Sequence, residues 1–195
     1  MQKQGELIKQ LTDRELLLNL YITQLIILLL SLMLSRILFD SWFYPFQLIK
    51  WDSKDILIGF IAGVFVVILE IIAARVLPKH WFDDGGINER VFGNRSVLHI
   101  IILSTVVAVS EEILFRGVLQ TYFGLIPAAI VFTVIHFRYL RKPFLLIVTV
   151  CLSFFIGYLY LYTGNLLTVI MCHLIIDMLL GLAIRFNFLN GGIKD

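Results

Sequence analysis

Six apolar segments, each separated from the next by a short polar stretch, dominate the sequence. They run over residues 16–38, 56–77, 97–123, 125–137, 144–162 and 166–185. A helix needs about 20 apolar residues to cross the hydrocarbon core of a bilayer, and all but the fourth segment approach that length. The sequence therefore predicts an all-α polytopic membrane bundle of six transmembrane helices.

The composition of the chain excludes the main alternatives to a membrane bundle. Apolar residues make up 59% of the 195 residues and charged residues 15%, against about 45–50% and 25% in soluble domains. This excess excludes a disordered chain and a free cytosolic domain. Cys151 and Cys172 both lie in apolar segments, so we expect buried thiols and no disulfide scaffold. The small net charge of +2 gives no reason to expect a nucleic-acid partner.

The distribution of lysine and arginine predicts the orientation of the bundle. If the N-terminus is inside, twelve basic residues lie on the inner side and three on the outer side. The inner ones are Lys3, Lys9, Arg14, Arg75, Lys79, Arg90, Arg95, Arg138, Arg141, Lys142, Arg185 and Lys194, and the outer ones are Arg36, Lys50 and Lys54. We therefore expect both termini in the cytoplasm. The short length and the high Ile, Leu and Lys content suggest a bacterial cell membrane.

The sequence divides into four parts by hydropathy and charge. Residues 1–15 form a polar N-terminal segment with no cleavable signal expected, and residues 16–96 hold spans one and two with a polar inner loop. Spans three to six, residues 97–185, form the predicted catalytic core, and residues 186–195 form a C-terminal tail. We expect His80, Asp83 and Asp84 of the inner loop to be solvated.

The predicted core contains six ionisable side chains where lipid-spanning helices normally have none. They are Glu111, Glu112, Arg116, His136, His173 and Asp177. A charged group at the centre of a membrane helix costs about 2.5–3.5 kcal/mol on insertion scales. Such residues usually mark a functional site. Glu70 in span two matches no motif, and we expect it to be structural or to snorkel towards the interface.

Helical spacing predicts how these groups are arranged. Glu112 and Arg116 are four residues apart, so they share a helix face and can form an ion pair. Glu111 points about 100° away from Glu112, towards a different helix. His173 and Asp177 also share a face. We expect Glu111, His136 and the His173/Asp177 pair to converge on one polar pocket, because lipid offers them no partners.

Such a pocket can support hydrolysis in two ways. A glutamate beside a histidine can act as a general base for water, while a second histidine stabilises an oxyanion. Alternatively, His136, His173 and a carboxylate such as Glu111 are a plausible ligand set for zinc, with an open position for water. The residues alone leave both routes open.

Three motifs in order give the chain a resemblance to a known family. They are EExxxR at residues 111–116, FxxxH from Phe132 to His136, and HxxxN/D from His173 to Asp177. Together they resemble the CPBP family of intramembrane proteases, which includes CAAX prenyl endopeptidases, Abi proteins and bacteriocin self-immunity proteins. The resemblance covers about half of the chain, residues 97–182.

The resemblance implies roles for the matched residues. It implies that Glu111 activates water together with His136, and that His173 and residue 177 form an oxyanion site. CAAX-processing members typically have Asn where this chain has Asp177. An ionised Asp cannot donate a hydrogen bond, so Asp177 is protonated, orients His173 or binds metal. Glu112, Arg116 and Phe132 are expected to support the site.

The leading hypothesis is an intramembrane endopeptidase that acts on a membrane-associated peptide, either prenylated or a bacteriocin or pheromone precursor. A second hypothesis is a non-catalytic immunity or binding protein that shares the fold. A third is a proton relay or transporter, since membrane Glu/His chains also carry protons. The lack of an internal repeat counts against that third class.

Overall fold

The described part of the chain, residues 11–188 of a computed structural model, is helical and contains no β-strand. Its α-helices are α1 (Asp13–Phe39), α2 (Ser53–Val76), α3 (Ile87–Phe92), α4 (Val97–Phe123), α5 (Leu125–Ile135), α6 (Pro143–Thr163) and α7 (Leu166–Arg185). Short 3₁₀-helices cover Tyr44–Leu48, Lys79–Phe82 and Phe137–Tyr139. The predicted all-α membrane bundle is confirmed.

Five of the helices in residues 11–188 are long and apolar enough to cross a membrane, namely α1, α2, α4, α6 and α7. The sixth predicted span, α5, has 11 residues and is therefore only about 16 Å long. It ends at His136, as its short apolar segment predicted. Residues 1–10 of the predicted N-terminal segment and 189–195 of the predicted tail lie outside the described residues, with Lys3, Lys9 and Lys194.

Polar side chains begin most of the long helices. Thr12 and Glu15 form a capping box at α1, Asp52 caps α2 and Ser96 caps α4. Each cap accepts a hydrogen bond from a backbone N–H that the first helical turn leaves unpaired. These residues set where the three helices begin.

The most extensive helix contact joins α2 to α7 and depends on two glycines four residues apart. A Cβ atom at Gly59 would lie 2.2 Å from the Thr168 carbonyl oxygen, and one at Gly63 would lie 2.7 Å from the Cys172 carbonyl oxygen. Small residues at this spacing let two membrane helices approach closely. Val66, Val67 and Glu70 continue the same face of α2 beyond these glycines.

The second half of α4 departs from regular α-helical geometry. Ile113–Gln120 is π-helical and follows directly after Glu111 and Glu112. Thr121 Oγ1 donates 2.8 Å to the Arg116 carbonyl oxygen, five residues earlier. The hydropathy pattern predicted an ordinary helix here, because a π-turn leaves no apolar signature. Such turns occur frequently at functional sites.

The predicted outer end of the bundle, opposite the loop of residues 78–95, is held together by Asn165. This side chain is fully buried. It accepts from Leu167 N and Lys50 N, both at 3.0 Å. It donates 2.9 Å to Lys50 O and 2.9 Å to Asp55 Oδ2. One amide therefore joins the start of α7 to the start of α2.

The inner end carries the polar loop of residues 78–95, which the charge distribution predicts to be cytoplasmic. Lys142 Nζ pairs with Asp83 Oδ2 at 3.0 Å, and Arg138 Nη2 lies 3.8 Å from Asp84 Oδ2. Asp84 also accepts 2.9 Å bonds from Gly86 N and Asn88 N. His80 and Asp83 are exposed, as expected, whereas the side chain of Asp84 is only 12% exposed. Both aspartates tie the loop to residues 138–142, just before α6.

Candidate active site

A cavity of about 740 Å³ opens at the inner end of the bundle. Five predicted site residues line it: Glu111 on α4, Phe132 and His136 at the end of α5, and His173 and Asp177 on α7. Its rim is charged and includes Lys79, Asp83, Asp84, Glu89 and Arg138. The bundle therefore brings the predicted site residues of three helices to one cavity that begins at a polar surface.

Glu112 and Arg116 lie behind the cavity rather than in its wall. Arg116 Nη1 donates 2.9 Å to Glu112 Oε1, which forms the ion pair that the spacing predicted. Arg116 Nη2 donates 3.1 Å to the Ser153 carbonyl oxygen on α6, and its guanidinium lies 4.9 Å from the centre of the Phe132 ring. Arg116 is 1% exposed. The pair is a buried brace between α4, α5 and α6.

Glu112 also holds His173, which helical spacing did not predict. His173 Nδ1 lies 2.7 Å from Glu112 Oε1. A carboxylate only accepts hydrogen bonds, so Nδ1 carries the hydrogen. His173 Nε2 lies 3.6 Å from Asp177 Oδ2, which is beyond ordinary hydrogen-bond length. Glu112 therefore orients the ring and directs Nε2 of His173 to the side of Asp177.

His136 has its ring fixed by its own helix. Its Nδ1 lies 2.8 Å from the Phe132 carbonyl oxygen, and that oxygen can only accept. The neutral ring therefore carries its hydrogen on Nδ1 and leaves Nε2 with a free lone pair. The Phe132 ring lies 4.4 Å from the imidazole, between it and the Phe115 ring at 4.8 Å. Phe132 positions His136 by packing and by its backbone.

Glu111 reaches a helix that the motifs do not include. Gln24 Nε2 on α1 donates 3.3 Å to Glu111 Oε1, and Ser110 Oγ donates 2.6 Å to Gln24 Oε1. The prediction that Glu111 faces another helix is confirmed. Sequence reasoning missed Gln24 itself, because a single uncharged amide in an apolar span carries no motif.

Glu70 also lines the cavity, from α2. It interacts electrostatically with Asp177, and Asp177 in turn interacts with Glu111, His136 and His173. The expectation of a structural or snorkelling role gave Glu70 no place at the site, and the structure adds that it lies in the cavity wall. The Gly59–Gly63 pair is the signal that could have located it, because the same face of α2 packs on α7 and continues to residue 70.

The side chains do not form the zinc site that the alternative route requires. Among residues 11–188, no group of three or more His, Cys, Asp or Glu side chains is arranged to hold a metal ion. The Nδ1 bonds of His136 and His173 to Phe132 O and Glu112 Oε1 leave both Nε2 atoms free, so these bonds do not themselves oppose metal binding. As arranged, His136, His173 and Glu111 do not fit a zinc site.

Two comparisons with known proteins find relatives of the chain. The family model of the type II CAAX prenyl endopeptidase Rce1-like proteins matches residues 93–179. YpbD of Bacillus subtilis (strain 168), described as an uncharacterized protein, is 43% identical over 140 residues, which span 70% of this chain and 74% of YpbD. A search of solved structures finds no match. The chain is an integral multi-pass membrane protein and belongs to the CPBP family, with a core like that of the type II CAAX prenyl endopeptidases.

Proposed function

We propose that the protein is an intramembrane endopeptidase that hydrolyses a peptide bond in a membrane-associated or lipid-modified peptide. The observation that carries the proposal is the shared cavity, which is lined by Glu111, His136, His173 and Asp177 together. Family membership supports a protease-like activity. The charged rim supports a peptide substrate that enters from the inner, cytoplasmic end.

In the proposed reaction Glu111 removes a proton from water, and the resulting hydroxide attacks the carbonyl carbon of the scissile peptide bond. His136 Nε2 accepts a hydrogen bond from that water and helps to orient it. The tetrahedral intermediate then collapses, the C–N bond breaks, and the proton held by Glu111 passes to the leaving nitrogen. His173 Nε2 lies on the side of Asp177. Because His173 Nδ1 donates to Glu112, Nε2 donates to the oxyanion only when the ring is an imidazolium, and Asp177 donates only when it is protonated.

Peptide cleavage by the purified protein tests the proposal directly. The protein is reconstituted in vesicles with internally quenched peptides that carry a lipid anchor, and bound metal is measured on the same sample. We expect cleavage that continues in the presence of a divalent-metal chelator. Stoichiometric zinc with chelator-sensitive cleavage would overturn the metal-free arrangement. Peptide binding without cleavage would favour the non-catalytic immunity or binding protein.

Asp177→Asn and Asp177→Ala test the proposed oxyanion role of Asp177. An asparagine can always donate a hydrogen bond to an oxyanion, so we expect Asp177→Asn to retain cleavage near the wild-type rate. Alanine removes the donor, which costs about 10²-fold or more in kcat at oxyanion sites. Steady-state kinetics on the same peptides measure both variants. An inactive asparagine variant beside an active alanine variant would contradict the role.

A further inference from the structure

We propose that Gln24 of α1 is a positioning residue for Glu111, held in a single orientation by Ser110. This inference rests on the proposed function, since it concerns the group proposed to activate water. Gln24 lies outside residues 93–179 that the family model matches. The three side chains are all buried, with exposures of 6% for Gln24, 3% for Ser110 and 8% for Glu111.

The chemistry of the two neighbours determines which way the Gln24 amide faces. An ionised Glu111 carboxylate can only accept a hydrogen bond, so the amide nitrogen must face it. The amide oxygen then faces Ser110, which donates its single hydroxyl hydrogen across 2.6 Å. Ser110 Oγ also lies 2.7 Å from the Val106 carbonyl oxygen. A third acceptor, the Val107 carbonyl oxygen, lies 3.2 Å away, and the contact to Gln24 is the shortest of the three.

The result is a directed chain from Ser110 to Gln24 to Glu111 that crosses from α4 to α1 and returns. It restricts Oε1 of Glu111 and leaves Oε2 as the oxygen available to a water molecule in the cavity. Ser110 and Glu111 are neighbours on α4, so this chain joins two side chains that cannot reach each other directly. Gln24 also lines the cavity, and its hydrogen bond sets the direction of the Glu111 carboxylate.

The chain predicts a selective effect on turnover. Gln24→Met preserves the shape of the side chain but removes both hydrogen bonds. We expect kcat to fall by about 10- to 100-fold, since a small misplacement of a reacting group can cost this much, while KM stays unchanged. The kcat of Gln24→Glu should fall at least as far, because an ionised carboxylate at residue 24 has no hydrogen to donate to Glu111. Ser31→Ala is the matched control.

Ser31 is a suitable control because it is also buried on α1 but bonds only its own helix, through Ile27 O at 2.7 Å. We expect Ser31→Ala to keep wild-type kcat. A wild-type kcat in Gln24→Met, with the fold intact, overturns the inference and leaves the proposed function standing. Equal losses in Gln24→Met and Ser31→Ala would also overturn it, since they would indicate only a general loss of packing.

An infrared measurement tests the same hydrogen bond without turnover. In protein labelled with ¹³C-glutamate, the carboxylate band that disappears in Glu111→Gln belongs to Glu111. We expect this band to shift in Gln24→Met and to stay in place in Ser31→Ala. An unshifted band in Gln24→Met overturns the inference, whatever the activity. Full cleavage by Glu111→Ala, with the band shift present, would instead remove Glu111 from the proposed mechanism.

Discussion

Peptide cleavage by Glu111→Ala is expected to fall by about 10³-fold or more, because general-base catalysis contributes about 10²–10⁴-fold to a rate. Glu111 is the cavity-lining carboxylate whose hydrogen bond reaches α1, whereas Glu112 is committed to Arg116 and His173. Initial rates on a lipid-anchored quenched peptide measure the effect.

Two further variants separate lost chemistry from lost structure at this position. Glu111→Gln keeps an acceptor for Gln24 Nε2 and the same shape but lacks a basic oxygen, so it should fold normally and be as inactive as the alanine variant. Glu15→Ala removes a glutamate from the capping box at the start of α1 and should cleave at the wild-type rate. Substantial cleavage by Glu111→Gln would exclude Glu111 as the base.

Replacing Arg116 with methionine is expected to produce the largest loss of stability, about 3–5 kcal/mol in the free energy of unfolding. The methionine leaves the carboxylate of Glu112 fully buried without its cation. It also removes the 3.1 Å bond to the Ser153 carbonyl on α6. Unfolding of the protein in mixed micelles by increasing SDS, followed by circular dichroism, measures the change.

Arg36 provides a matched control for Arg116. It forms an ion pair with Asp40 at the same i,i+4 spacing, but the two side chains are 46% and 91% exposed. Exposed pairs contribute little, so Arg36→Met should change stability by less than about 1 kcal/mol. The double variant Glu112→Gln with Arg116→Met should recover part of the loss, because no buried charge then remains unpaired. Equal losses of unfolding free energy in Arg36→Met and Arg116→Met would contradict the role of the Glu112–Arg116 pair as a buried brace.

The fold was predictable because lipid imposes few solutions on an apolar chain. Hydropathy located every long helix and the short α5, and i,i+4 spacing located the Glu112–Arg116 pair. The π-helical stretch of α4 was not predictable, since its apolar residues are compatible with either hydrogen-bond pattern. The motifs brought Glu111, His136, His173 and Asp177 into one hypothesis, and the bundle places them along one cavity.

The rest of the site depends on the register between helices, which spacing along one helix does not encode. Glu112 could be paired with Arg116 from sequence, but its second bond to His173 requires the packing of α4 on α7. Glu70 reaches the cavity only because Gly59 and Gly63 set the depth of α2 against α7. The zinc alternative depended on distances between helices as well, and those distances do not gather three ligands.

The two ends of the bundle are fastened by different kinds of bond, and this gives the molecule an asymmetric response to its surroundings. At the outer end the buried Asn165 amide holds α2 and α7 with short hydrogen bonds that added salt cannot reach. At the inner end the fastenings include the Asp83–Lys142, Asp84–Arg138 and Asp13–Arg90 pairs, with partly exposed charges that salt screens. Rising ionic strength should therefore weaken the contacts at the inner end, where the cavity opens, while the Asn165 end keeps its geometry. The helices would then separate at the cavity end only.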